Sequence, residues 1–66
     1  MKWTRETYDG PGFSKYTSDC GEYEIVKLYE NLPNGDAFQL NVRGYFKGTG
    51  TLSSLKTAAR WDKRHN

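Results

Sequence analysis

Cysteine is almost absent from this 66-residue chain: Cys20 stands alone. No intrachain disulfide can form, which removes the usual staple of small secreted domains and points to a reducing compartment. Histidine is as scarce, with His65 the sole example. One Cys and one His, far apart, match no zinc spacing, so no metal or cofactor is expected. Long hydrophobic runs are missing too. Hydrophobic residues make up 35% of the chain, and no stretch approaches the length a membrane span needs. The opening Met1-Lys2-Trp3-Thr4-Arg5-Glu6 has no apolar run, so no signal peptide is expected and the chain reads as soluble and intracellular.

The catalytic repertoire is equally thin. His65 lies at a helix end with nothing to hold it against a nucleophile. Asp19 and Glu22 flank Cys20 and are expected to raise its pKa, away from a reactive thiolate. Glu22 and Glu24 share a strand face, but a chain this small can scarcely form the cleft that paired carboxylates require. Asp9-Gly10-Pro11-Gly12 contains glycines but no helix follows to supply amide dipoles, so it reads as a turn. The sequence predicts a protein that is not an enzyme.

What is present is aromatic and, at one end, basic. Aromatics are 15% of the chain, so much of a thin core must be built from Trp, Tyr and Phe. Net charge is +2, unevenly spread. Residues 1–54 carry six basic and seven acidic groups; residues 55–66 carry Lys56, Arg60, Lys63 and Arg64 against Asp62 alone.

Alternation predicts strands over Trp3–Tyr8, Phe13–Ser18, Tyr23–Glu30 and Ala37–Arg43, with Tyr45–Gly50 as a short last strand or a bulged extension. Tyr23–Glu30 is apolar on both faces, which suggests a central strand with something packed on each side. Leu32-Pro33-Asn34-Gly35-Asp36 is a turn signal. A helix follows, with Ser53 as the expected N-cap. Leu55, Ala58, Ala59 and Asp62 point one way, Lys56, Arg60, Lys63 and Arg64 the other. The expected fold is a single α+β domain, residues 1–66. Its antiparallel sheet has three or four strands, with Leu55, Ala59 and Trp61 anchoring the helix on Val26, Phe38, Leu40 and Val42.

Two surfaces then come into question. Ten aromatic rings exceed what one thin sheet–helix interface covers, so Tyr23, Tyr29, Tyr45 and Phe46 are candidates for binding a partner protein or a second copy in a homodimer. The alternative is weak nucleic-acid binding by Lys56, Arg60, Lys63 and Arg64, against the plain reading of a solvated face whose last-turn cations offset the helix dipole.

Trp3, the strand Gly21-Glu22-Tyr23-Glu24-Ile25, the aromatic hairpin Phe38 to Phe46 and the closing Ser54-Leu55-Lys56-Thr57-Ala58-Ala59-Arg60-Trp61 together resemble a class of very small bacteriophage open reading frames. The likeness spans most of the chain through motifs that are structural in character. It implies a phage or prophage accessory protein in the host cytoplasm, of a class that includes inhibitors of host machinery or defence, binding a host or phage protein stoichiometrically. A weaker likeness is to the three-strand-plus-helix arm-binding domains of phage-type integrases, which read DNA with a basic sheet. Here Glu22, Glu24, Glu30 and Asp36 lie in or beside the strands instead, although Gln39, Asn41 and Arg43 share one face.

Overall fold

The computed structural model describes residues 1–7, 14–28 and 30–65. Five strands and one helix follow in order: β1 (Trp3–Thr7), β2 (Ser14–Ser18), β3 (Tyr23–Lys27), β4 (Phe38–Val42), β5 (Tyr45–Gly50) and α1 (Leu52–His65). The strands form an antiparallel meander in the order β1-β2-β3-β4-β5, which makes β3 central and leaves β1 and β5 as edges. The α+β class is as expected, with one strand more than the three or four anticipated. Tyr8, Phe13, Tyr29 and the Asp9–Gly12 turn lie outside the described residues.

The additional strand comes from a tight turn. Arg43 and Gly44 both take positive φ, 50° and 85°, between Val42 and Tyr45, which are register partners. Two successive left-handed residues form the hairpin turn whose twist matches that of the flanking strands. Arg43 is therefore a turn residue and not the end of β4. Lys47 then forms a bulge, since Leu40 pairs with Gly48 while Asn41 pairs with Phe46. The Pro33-Asn34-Gly35 turn forms as its residues suggest: the Gly35 amide donates to the Leu32 carbonyl at 2.8 Å and the Asn34 side chain accepts from the Asp36 amide at 3.0 Å.

Register decides which face of β3 is core. Tyr23 pairs with Val42, Ile25 with Leu40 and Lys27 with Phe38, so the apolar face of β4 joins the odd-numbered residues of β3. The buried core is Tyr23, Ile25, Leu40, Val42, Leu55 and Ala59, with Trp3, Tyr16, Phe38 and Leu52 packed around it. Val26, expected beneath the helix, pairs with Gln39 and points to the other face. Burying Tyr23 and Ile25 completely removes more apolar surface from water than Val26 could.

Helix α1 is capped by Thr51 and not by Ser53. The Ser54 amide donates to the Thr51 hydroxyl at 3.1 Å, and the Thr51 amide donates back to the Ser54 hydroxyl at 3.0 Å. This reciprocal pair satisfies two amides at once, whereas Ser53 is exposed and contributes its carbonyl to Thr57. The inward line of α1 runs through Leu52, Leu55, Ala59 and Asp62. Ala58 is exposed, and so is Trp61 at 62%, so Trp61 is not an anchor. Because α1 lies across β3, β4 and β5, the β1 and β2 strands project beyond its flank.

Candidate binding surfaces

Tyr23, expected on the surface, is completely buried. Its hydroxyl donates to the Asp62 carboxylate at 2.6 Å, tying the central strand to the last turns of α1. That acceptor, together with burial, raises the Tyr23 pKa above its ordinary value. Tyr23 is thus a core residue with a polar tether. Tyr29 lies outside the described residues.

Tyr45 and Phe46 remain exposed, at 79% and 61%. As successive strand residues they point to opposite faces of the sheet: Tyr45 lies on the side of Val42 and α1, Phe46 on the side of Asn41. Both sit on edge strand β5, where the sequence placed them together. Trp61, expected as an anchor of α1 on the sheet, joins them at this edge. It lines a groove of about 420 Å³ with Lys47, Ala58 and Asp62, next to the same strand edge. Its indole stacks on the His65 ring at 4.0 Å, and the His65 Nδ1 lies 2.8 Å from the Trp61 carbonyl oxygen. His65 is thereby engaged in closing the helix end.

The four cations Lys56, Arg60, Lys63 and Arg64 fall on the flank of α1 that overlooks β1 and β2. The Lys56 ammonium lies 5.2 Å from the centre of the Tyr16 ring on β2, within cation–π range. The Arg60 guanidinium donates to the Thr57 hydroxyl at 3.3 Å, and Lys63 is near enough to the β2–β3 turn to act on Cys20. The structure therefore brings these four into one row.

Cys20 differs from expectation. The Ser18 hydroxyl lies 3.3 Å from its sulfur, and this contact, the Glu22 backbone amide and the Lys63 charge together lower the thiol pKa. The opposing Glu22 charge is the smallest of the effects, and the expected rise is reversed. Local hydrogen bonds outweigh charges that point into water.

Apart from Val26 and Phe46, the outer face of the sheet around β3 and β4 carries polar side chains. Lys15 pairs with Glu24 at 3.7 Å, and Gln39 donates to Asn41, which donates to Glu24. Its amides are occupied by these neighbours. Among the described residues no cluster of His, Cys, Asp or Glu could hold a metal ion, and no helix is long and apolar enough to cross a membrane. Comparison with protein-family models, curated proteins and solved structures returned no significant match for this chain.

Proposed function

We propose that the protein acts by stoichiometric, non-catalytic binding to another protein, an accessory role of the kind its phage-type resemblance implies, and that the β5 edge makes the contact. The observation that carries this reading is the gathering of Tyr45, Phe46 and Trp61, all more than half exposed, around one edge strand. Large aromatics left in water at a sheet edge are costly for a domain with so small a core, and burying them under a partner recovers that free energy.

Geometry narrows the mode. Tyr45 and Phe46 lie on opposite faces, so a partner resting on either face alone would cover one of them. A segment running along β5 touches both, its backbone pairing with the free edge and an apolar side chain entering the groove between Lys47 and Trp61. The Lys47 bulge interrupts the edge ladder, which limits pairing to a short stretch and suits a specific partner better than indiscriminate strand addition.

The test is affinity capture from nuclease-treated host lysate, followed by native mass spectrometry of the reconstituted complex. Wild type and an Arg60→Gln/Arg64→Gln variant should retain the same polypeptide at a fixed stoichiometry; Phe46→Ser and Trp61→Ser should each lose it. Retention by the aromatic variants, or loss on nuclease treatment, would overturn the reading.

A further inference from the structure

We infer that the flank of α1 facing β1 and β2 is a second binding site, separate from the β5 edge, that seats one strand of a nucleic-acid phosphodiester backbone without reading its sequence. Lys56, Arg60, Lys63 and Arg64 follow one another at helical spacings of four, three and one residues along this flank. At a rise of about 1.5 Å per residue the row is about 12 Å long. Phosphates on one strand of a duplex rise about 3.4 Å each along the axis and lie farther apart along the strand itself, so long side chains spread over this row can reach successive phosphates. A single small anion would need cations that converge on a point. These are strung out in a line, which suits a polymer.

The surface beside the row is concave. A depression of about 380 Å³ lies against Ser53, Lys56 and Arg60. A second, of about 230 Å³, lies among Arg60, Lys63 and Arg64 beside Met1. They share Arg60, so they run end to end, and among the described residues no acidic side chain lines either. Among the described residues, the ion pairs Lys15–Glu24 and Arg43–Glu22 lie on the sheet and its turns.

Helix-dipole complementarity accounts for only part of this charge. Lys63 and Arg64 occupy the last turn, where cations are favoured. Lys56 lies near the positive end of the dipole, in a helix with no acidic residue in its first turn to offset it. Its position over Tyr16 holds an ammonium at the mouth of the upper depression instead. The hydroxyl of Ser53 stands exposed at the same end and can donate to a phosphate oxygen.

The experiment is fluorescence anisotropy with a labelled duplex of about 20 base pairs over about 20–200 mM KCl. If the four cations each neutralise one phosphate, the logarithm of affinity falls with the logarithm of salt at a slope of about −3.6, or about 150-fold between 50 and 200 mM. Arg60→Gln and Arg64→Gln should each reduce the slope by about 0.9 and weaken binding at low salt. Lys47→Gln and Arg43→Gln, which remove the same charge elsewhere, should leave the slope unchanged, and all four variants change exposed side chains, so their melts should overlay the wild type. No binding at about 20 mM salt, equal effects of all four variants, or equal competition by polyglutamate of matching charge would overturn the inference. Trp61→Ser should leave DNA binding intact, so failure here and failure at the β5 edge are separately visible.

Discussion

The attachment of α1 to the sheet rests on a close approach at Gly50, and alanine substitution there gives a sharp test. Gly48 and Gly50 lie two residues apart on the helix-facing side of β5, paired with Leu40 and Phe38. A methyl group at Gly48 would meet nothing within 4 Å. One at Gly50 would sit 2.7 Å from the Ser54 hydroxyl oxygen and 3.4 Å from Leu55 Cδ2. The second contact is ordinary; the first is not. Ser54 can relieve it by rotating, but its hydroxyl then leaves the Thr51 amide it accepts from, and half of the cap is lost.

Loss of a cap costs about 0.5–2 kcal/mol. Both alanines also reduce the freedom of the unfolded chain, which stabilises by about 0.4–1 kcal/mol where the native backbone permits it. Gly48→Ala should therefore be neutral or stabilising, with Gly50→Ala less stable than it by about 1–2 kcal/mol. In a domain of this size that separates their melting temperatures by about 4–16 °C. Urea and thermal melts followed by circular dichroism give both numbers. Ser54→Ala supplies the control: it removes the clashing oxygen, so Gly50→Ala in that background should cost about 1 kcal/mol less than in the wild type. Additive costs, or equal behaviour of the two glycines, would show that the approach at Gly50 is not what positions the helix.

Four further outcomes follow from the same structure. Leu55→Ala should cost about 2–4 kcal/mol, while Trp61→Ala, on an exposed side chain, should change stability by less than about 0.5 kcal/mol; the reverse order in urea melts would restore Trp61 as the anchor. Arg43→Asn should raise stability by a few tenths of a kcal/mol to about 1, since Asn suits the left-handed turn and the exposed pair with Glu22 at 3.4 Å contributes little; a lower urea midpoint refutes this. The raised Tyr23 pKa means that its contribution to stability is complete below about pH 10 and declines as pH rises through the folded-state value, so Tyr23→Phe should flatten the alkaline fall in urea midpoint, and parallel curves would count against it. Alone in solution the protein should pair through the β5 edge at micromolar concentration, with Phe46→Ser shifting sedimentation equilibrium to the monomer; a wild type that is monomeric throughout removes the homodimer.

How much of this was legible in the sequence depended on whether local pattern or pairing made the decision. Phe38, Leu40 and Val42 alternate with Gln39 and Asn41, and β4 formed with that face inward because no competing pattern existed. In β3 both faces offered apolar residues. Tyr23 and Ile25 against Val26 and Leu28 is a choice that composition cannot make, and the register with β4 made it. The surface role expected for Tyr23 failed for the same reason: its ring is needed under α1, and Asp62 supplies the acceptor that lets a phenol be buried there. Arg43 was misread because a non-glycine residue with positive φ carries no strong sequence signal, even beside Gly44.

The misplacement of Trp61 links the fold to the candidate site. A large aromatic two residues after the buried Ala59 reads as an anchor on size alone. Yet α1 approaches the sheet closely, through Gly50 at its start and Ala59 at its middle, and the inward line ends in Asp62. Position 61 falls off that line in the helical turn, and Trp61 turns outward beside Lys47 and the β5 edge. Lys56, Arg60, Lys63 and Arg64 were correctly placed on one side of α1 by helical period, but only the sheet beneath shows that this side opens over β1 and β2. Helix α1 thus separates two surfaces of different chemistry, an aromatic strand edge on one flank and a row of cations on the other. Substitutions on either flank leave the Leu55 and Ala59 line beneath untouched, which is why the two binding readings can be tested independently in one folded protein.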